Sequence, residues 1–279
     1  GCENLQYVSL HDGITSIGNN AFADSPSLQY SADATGGQPA SPFALPERLE
    51  TIGYCAFEGC VLLDTALPDG VQSIGYSAFE GTGLTTVTIP ASVTSLGDSA
   101  FRDCENLESV EIRSALDSNG TGSSLFAGCT ALETVTLADG VTTVGESMFD
   151  GCTALESVAL PDSVTGIGRG VFKDCTGLTA VSLPAAAEGI QISMFENCTS
   201  LQRIDIPAGV EAIYARAFYG CSALDEISIP SGIRQIDEYA FYGCTGLTSI
   251  RLSADNRTDI GPYAFRGCTG LTSVTLPEQ

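Results

Sequence analysis

The sequence has few of the residues that nucleic-acid-binding and histidine-dependent proteins need. Its 279 residues include no tryptophan, one histidine and 11 basic residues against 34 acidic ones, so the formal charge is −23 at pH 7. A chain this acidic repels phosphate backbones and anionic lipid surfaces, which excludes nucleic acid as a favoured partner. No apolar run approaches the length of a membrane helix, so we expect no direct membrane insertion.

The single histidine also argues against an enzyme. His11 directly precedes Asp12-Gly13, a turn sequence, and any Cys–His or Ser–His–Asp chemistry would rest on this one residue. The glycines of Gly166–Gly170 hint at a phosphate loop, but Gly168 belongs to the repeat described next and no long helix follows. The sequence therefore predicts no enzyme, with no catalytic and no cofactor-binding residues.

Phenylalanine and cysteine recur at a fixed period. Six phenylalanines lie 23 residues apart and each is followed three residues later by a cysteine: Phe126, Phe149, Phe172, Phe195, Phe218 and Phe241, with Cys129, Cys152, Cys175, Cys198, Cys221 and Cys244. Self-similarity at a period of about 20–50 residues marks a solenoid. Eleven of the 12 phenylalanines, from Phe22 to Phe265, occupy this position of the repeat.

The full repeat is L-x-x-V-x-L-P-x-x-V-x-x-I-G-x-x-A-F-x-x-C. Alternating L-x-x-V-x-L predicts a half-buried strand, the following Pro a turn, and V-x-x-I-G a second short extended segment. The A-F-x-x-C segment has helical spacing but little length, which favours a 3₁₀ or single α turn. We predict a repeat solenoid of about 11 coils of 22–25 residues, with a parallel β-sheet on one face and turns or short helical turns on the other.

This repeat resembles the BspA-like leucine-rich repeats of bacterial surface proteins. Clear examples are Leu84–Phe101 (LTTVTIPASVTSLGDSAF) and Leu224–Phe241 (LDEISIPSGIRQIDEYAF). The resemblance implies one leucine-rich repeat solenoid over residues 1–279. It further implies a secreted or cell-wall-attached protein that binds host or microbial surface molecules, and it supplies no shared catalytic residue.

Both ends of the chain fall inside the repeat. It opens at Gly1-Cys2 and stops just after Pro277, and neither end has the polar cap that solenoids normally need. We therefore expect a fragment of a longer chain, with targeting and anchoring segments outside it.

The 11 cysteines raise the alternatives of zinc, disulfides or buried thiols. No C-x-x-C occurs, and ten of the 11 occupy one repeat position, where other coils carry Ser25 and Thr82. Cysteines on neighbouring coils have parallel Cβ vectors about one strand spacing apart, too wide for an unstrained disulfide. We predict reduced, buried thiols and no metal site, with Cys55, outside this position, as the reachable thiol.

Two departures from the repeat are loops. An insertion near residues 29–40, including SADATGGQPA, is either a binding loop or a tolerated insertion. After Ile112, Asp117, Asn119, Thr121 and Gly122 match the opening of a calcium loop, but its twelfth position is Gly128 rather than Glu. An Asn-Gly turn is the alternative there.

Four tyrosines are the strongest binding candidates. Tyr219 and Tyr242 follow the repeat phenylalanine, and Tyr239 and Tyr263 lie two residues before it, so each pair should stack on adjacent coils. Tyrosine is enriched at binding hot spots, although a packed outer surface is the alternative.

The predicted sheet face offers less for a ligand. Its outward positions carry small polar residues such as Ser109 and Thr134, without an aromatic platform for sugars. Glu108, Glu133 and Glu156 share one position on three consecutive coils, either as a solvated row or as a site for a cation or a basic partner.

Two functions fit these observations. The favoured prediction is a non-catalytic cell-surface adhesion module that recognises a protein or glycan on a host or microbial surface. The alternative is a structural spacer that holds another domain away from the cell wall.

Overall fold

The computed structural model describes residues 1–31, 41–252 and 258–275 and forms a parallel β-solenoid of about 11 coils, as predicted. The chain divides into two compact units, Gly1–Val141 and Thr142–Gln279. A single uninterrupted solenoid over residues 1–279 therefore remains a prediction.

All strands are short because each coil contributes only a few extended residues between turns. In chain order they are β1 (Tyr7–Val8), β2 (Ser16–Ile17), β3 (Tyr30–Ser31), β4 (Ser41–Pro42), β5 (Thr51–Ile52), β6 (Ser73–Ile74), β7 (Thr86–Ile89), β8 (Ser95–Leu96), β9 (Ser109–Ile112), β10 (Thr134–Leu137), β11 (Thr143–Val144), β12 (Ser157–Ala159), β13 (Gly166–Ile167), β14 (Ala180–Ser182), β15 (Gly189–Ile190), β16 (Ala212–Ile213), β17 (Glu226–Ser228), β18 (Gln235–Ile236), β19 (Ser249–Arg251), β20 (Asp259–Ile260) and β21 (Ser273–Thr275).

The strands form two series of parallel sheets, one from each extended segment of the repeat. In the first unit, β10-β9-β7 belongs to the first series and β2-β5-β6-β8 to the second. In the second unit, β12-β14 and β17-β19-β21 alternate along the chain with strands of β11-β13 and β15-β16-β18-β20. Equivalent residues of successive coils face each other, as Val87, Val110 and Val135 do, so each repeat position becomes a ladder.

The repeat phenylalanines form the centre of the core. Phe57 and Phe79 stack at 5.2 Å between ring centroids in the first unit, and Phe218 and Phe241 stack at 5.1 Å in the second. All four are fully buried. One coil cannot enclose a ring of this size, so burial depends on stacking of the neighbouring coils.

The predicted short helical turns are absent from the described residues. In the coil of Phe218, the amides of Arg216, Phe218 and Gly220 donate to carbonyl groups of the next coil, while the intervening amides close turns within the coil. Arg216 and Gly220 have φ of 59° and 73°. Because alternate amides bond to the neighbouring coil, no helical run of hydrogen bonds develops.

The insertion begins and ends on an antiparallel pair. Tyr30 lies opposite Pro42 and Ser31 opposite Ser41, where β3 meets β4. Residues 32–40, on which most of the predicted loop falls, lie outside the described residues.

All 11 cysteines are free thiols and eight of them are buried, so the predicted burial is confirmed, while their reduced state in solution stays a prediction. Cys2 is exposed and Cys55 half-buried, but Cys268 is also half-buried, so Cys55 is not the only repeat-region thiol near the surface. Burial, together with a hydrogen bond to Glu58, raises the pKa of Cys55 to about 11.

Candidate binding surface

At one position of the repeat, three coils carry bulky side chains on a backbone of positive φ. The residue two before the phenylalanine has positive φ in the described coils, and most coils fill it with a small or turn-forming residue: Asn20, Cys55, Ser77, Ser99, Ser124, Ser147, Gly170 and Ser193. Three successive coils instead carry Arg216, Tyr239 and Tyr263, with φ of 58–59°. Bulky residues at positive φ are strained, at a cost on the order of 1–3 kcal/mol each.

The four predicted tyrosines form one cluster. Tyr219 stacks on Tyr242 at 4.9 Å and 6°, and Tyr239 stacks on Tyr263 at 5.3 Å and 26°. Tyr239 also lies 5.7 Å from Tyr242 at 60°, which joins the two pairs. The predicted stacking on adjacent coils is confirmed.

An arginine lies at each end of the cluster. The guanidinium carbon of Arg216 is 4.2 Å from the ring centroid of Tyr219, and that of Arg266 is 5.4 Å from Tyr263. Sequence reasoning missed both arginines, although they occupy the same two repeat positions as the tyrosines. We call Arg216, Tyr219, Tyr239, Tyr242, Tyr263 and Arg266 the tyrosine surface.

A buried carboxylate fixes Arg216 over its ring. Glu196 has a side chain only 8% exposed and accepts two hydrogen bonds from Arg216, with Nε 3.0 Å from Oε2. Burial alone would raise the pKa of Glu196, but hydrogen bonds from Arg216 and Ser193 outweigh it and hold the pKa below its usual value. The guanidinium is thereby oriented before any ligand arrives.

The four tyrosines differ in exposure, since Tyr219, Tyr239 and Tyr242 are half-buried and Tyr263 is exposed. The faces of Tyr239 and Tyr242 pack against neighbouring rings, whereas Tyr263 is 53% exposed. Ring edges carry the positive end of the aromatic quadrupole, so this surface suits carbonyl and carboxylate acceptors.

The candidate calcium loop uses its carboxylate internally. Asp117 Oδ1 accepts hydrogen bonds from the amides of Asn119 (2.8 Å) and Gly120 (3.0 Å), and Thr121 donates its hydroxyl to the carbonyl of Asp117. In the part of the chain that the structure describes, no three His, Cys, Asp or Glu side chains group as a metal site. The turn interpretation accounts for these contacts.

The sheet face differs in part from the prediction. Glu108, Glu133 and Glu156 are exposed, as a solvated row would be. Tyr7 and Tyr30, however, stack at 5.6 Å and 21° on β1 and β3, at outward positions equivalent to Ser109. The expectation of a face without an aromatic platform is therefore wrong at its first coils, because tyrosine there replaces the small polar residues of the later coils.

Comparison with known proteins identifies the repeat. The profile described as "BspA type Leucine rich repeat region" matches residues 1–32, 37–123, 120–215 and 188–279, in six copies. The chain belongs to the BspA-type leucine-rich repeat family. No curated protein matches it significantly. Among the described residues, no helix has the length and apolarity needed to cross a membrane.

Solved bacterial structures share the fold of this family member. A leucine-rich repeat protein from Bacteroides ovatus is 28% identical over 98% of this chain and 79% of its own, with a TM-score of 0.58. One from Eubacterium ventriosum is 25% identical over 100% and 79%, with a TM-score of 0.63. A leucine rich cell surface protein from Faecalibacterium prausnitzii is 30% identical over 90% and 81%, with a TM-score of 0.55.

Proposed function

We propose that this chain is a non-catalytic, extracellular binding module that recognises a protein ligand on a host or microbial surface through the tyrosine surface. Family membership supports a surface role, since the similar Faecalibacterium protein is named a cell surface protein. The observation that carries the proposal is the placement of Arg216, Tyr239 and Tyr263 at positive φ on successive coils.

The repeat itself does not require these side chains. Ser193 and Ser147 fill the same position with the same backbone conformation, at φ of 54° and 51°. Serine tolerates local turn geometry better than tyrosine, so the fold would be satisfied at less cost without the aromatic rings. Strain that the fold does not require points to a role outside the fold.

The arrangement favours a protein over a glycan. Sugar rings stack on free aromatic faces, but here neighbouring rings and guanidinium groups cover most faces of the cluster. The exposed side chains of Tyr263 and Arg266 match the carbonyl and carboxylate groups of a polypeptide. Tyrosine and arginine also dominate hot spots of protein interfaces.

The test is saturable binding of the purified chain to a panel of matrix proteins and glycans, with calcium and with chelator. We expect a protein hit whose affinity falls about tenfold or more in Tyr219→Ala, Tyr242→Ala and Tyr263→Ser. The matched controls are Tyr54→Ala and Tyr76→Ala, because these tyrosines are 48% and 55% exposed in the first unit. A hit that survives all three changes, or a saturable glycan hit, contradicts the proposal, and no hit at all favours a spacer.

A further inference from the structure

The coil that starts at Leu63 is one residue short. Five steps separate Leu63 from Pro68, whereas six separate Leu84 from Pro90 in the next coil. A one-residue change reverses which side chains face the core, so this coil cannot continue the sheet in register. It forms no strand of the first series, and β7 pairs with β9 alone, as an edge strand.

A side chain substitutes for the missing backbone pairing at one point. The amide and hydroxyl of Thr85 donate to the Asp64 carboxylate, at 3.2 and 3.1 Å. In the following coils the equivalent amide donates to a backbone carbonyl, as Glu108 does to Thr85. The carboxylate thus spans a separation that the backbone does not close.

The rest of the short segment has unpaired polar groups. Within the described residues, the amides of Thr65, Ala66 and Leu67 donate to no backbone carbonyl. The hydroxyl oxygen of Thr65 is shielded from solvent and has no hydrogen-bond partner. Unpaired backbone beside an edge strand is a template for another strand.

These groups border a groove of about 530 Å³. Most of its lining is apolar, and it reaches the core residues Phe43 and Leu45, with the exposed carboxylates of Glu47 and Asp64 beside them. Pro42, which lies opposite Tyr30 in the antiparallel pair, also lines the groove. The volume of the groove lies within the roughly 300–1,000 Å³ of ligand sites.

We infer that this groove is a second binding site that takes an extended, basic peptide segment of a partner protein as an added strand. Its main chain pairs with the amides of residues 65–67 beside Thr86 of β7, and its alternate side chains enter the apolar groove. Such strand addition combines main-chain affinity with side-chain specificity. A lysine or arginine of the peptide meets Glu47 and Asp64. The site lies in the first unit and does not rest on the tyrosine surface.

The test is selection of a randomised octapeptide phage library on the full chain. Phage that also bind the Ala66→Trp variant, in which tryptophan fills the groove, are removed first. We expect enriched peptides rich in Lys or Arg and in β-branched residues. A synthetic peptide with an enriched sequence should bind Ala66→Trp and Ala44→Trp about tenfold or more weakly than it binds the unchanged chain. It should bind Ala159→Trp, an exposed control on β12, as well as the unchanged chain. Bound peptide should also slow hydrogen exchange at residues 65–67.

The decisive control is the same enriched peptide with alternate backbone nitrogens methylated. This peptide keeps its side chains but cannot form the main-chain hydrogen bonds of a strand. It should lose about tenfold or more in affinity. Each of three results would overturn the inference. They are no enrichment over the Ala66→Trp protein, enrichment of acidic or neutral peptides, and full binding of the methylated peptide. Circular dichroism melting curves of the tryptophan variants separate a filled groove from a misfolded coil.

Discussion

The Sγ atom of Cys221 lies 3.0 Å from the carbonyl oxygen of Phe195, one coil earlier in the chain. Cys244 makes the same contact with Phe218, at 3.1 Å. Where a coil has Thr82 instead, its hydroxyl donates to the carbonyl of Phe79 in its own coil, three residues earlier, at 2.8 Å. The repeat position therefore selects a small side chain that carries a hydrogen-bond donor, not a metal ligand.

Two substitutions of Cys221 should separate the contribution of side-chain volume to stability from that of the side-chain hydrogen bond. Valine and threonine have similar size, but only threonine carries a hydroxyl, which we expect to donate to the carbonyl of Phe218 three residues earlier, as Thr82 donates to Phe79. We expect Cys221→Val to be less stable than Cys221→Thr by about 0.5–1.5 kcal/mol in free energy of unfolding. Urea titrations followed by circular dichroism measure the difference, and equal stability of the two variants would show that the donor is unimportant.

Native thiol reactivity should follow burial and pKa. Burial raises the pKa of Cys60 to about 11 and that of Cys175 to about 12, and Cys55 also has a pKa of about 11. Since the thiolate is the reactive form, these thiols should react slowly with iodoacetamide at pH 7.5, while the exposed Cys2 reacts first.

Peptide mass mapping over time checks this order. Below its pKa, the labelling rate of Cys55 should rise about tenfold per pH unit, because the thiolate fraction does. Cys60 and Cys175 should stay unlabelled until urea unfolds the chain. Early labelling of either one under native conditions would contradict the buried ladder.

Tyr263→Asn should leave the fold intact while removing a ring of the tyrosine surface. Asparagine tolerates positive φ, so relief of backbone strain offsets the lost stacking on Tyr239. We expect the free energy of unfolding to change by less than about 1 kcal/mol, against a loss of about 3–5 kcal/mol for Phe241→Ala in the core. Thermal and urea unfolding measure both. A large loss in Tyr263→Asn would assign this tyrosine to the fold.

The ion pair of Glu196 and Arg216 should make the free energy of unfolding depend on pH in the acidic range. The pKa of Glu196 is lower in the folded chain than its unfolded value of about 4.3, so its contribution is complete above that value and is lost as the pH falls through the folded pKa. At pH 7, Glu196→Gln should lose on the order of 1–2 kcal/mol relative to the natural chain.

That difference should shrink when the pH falls to 3, where the natural carboxyl is protonated as well. Urea midpoints at the two pH values measure it, with the exposed Glu188→Gln as control. An unchanged difference at pH 3 would mean that the charge of Glu196 contributes nothing.

The candidate sites could be predicted from the sequence only in part. Tyr219 and Tyr242 share a repeat position, so their stacking followed from the period alone. Glu196 and Arg216 also occupy repeat positions, but the pairing depends on side-chain conformations that no period specifies. The groove beside Asp64 followed from no motif, since a one-residue deletion shows its effect only when the neighbouring coils lie side by side.

The 23-residue period alone establishes the coil, its two extended segments and its phenylalanine and cysteine ladders, because it brings equivalent positions into register. Tertiary structure alone decided that A-F-x-x-C forms turns rather than helix, since its alternate amides find carbonyl groups only on the next coil. It also decided that the coil starting at Leu63 forms no strand beside β7, because backbone pairing across coils is a long-range contact that local propensity does not contain.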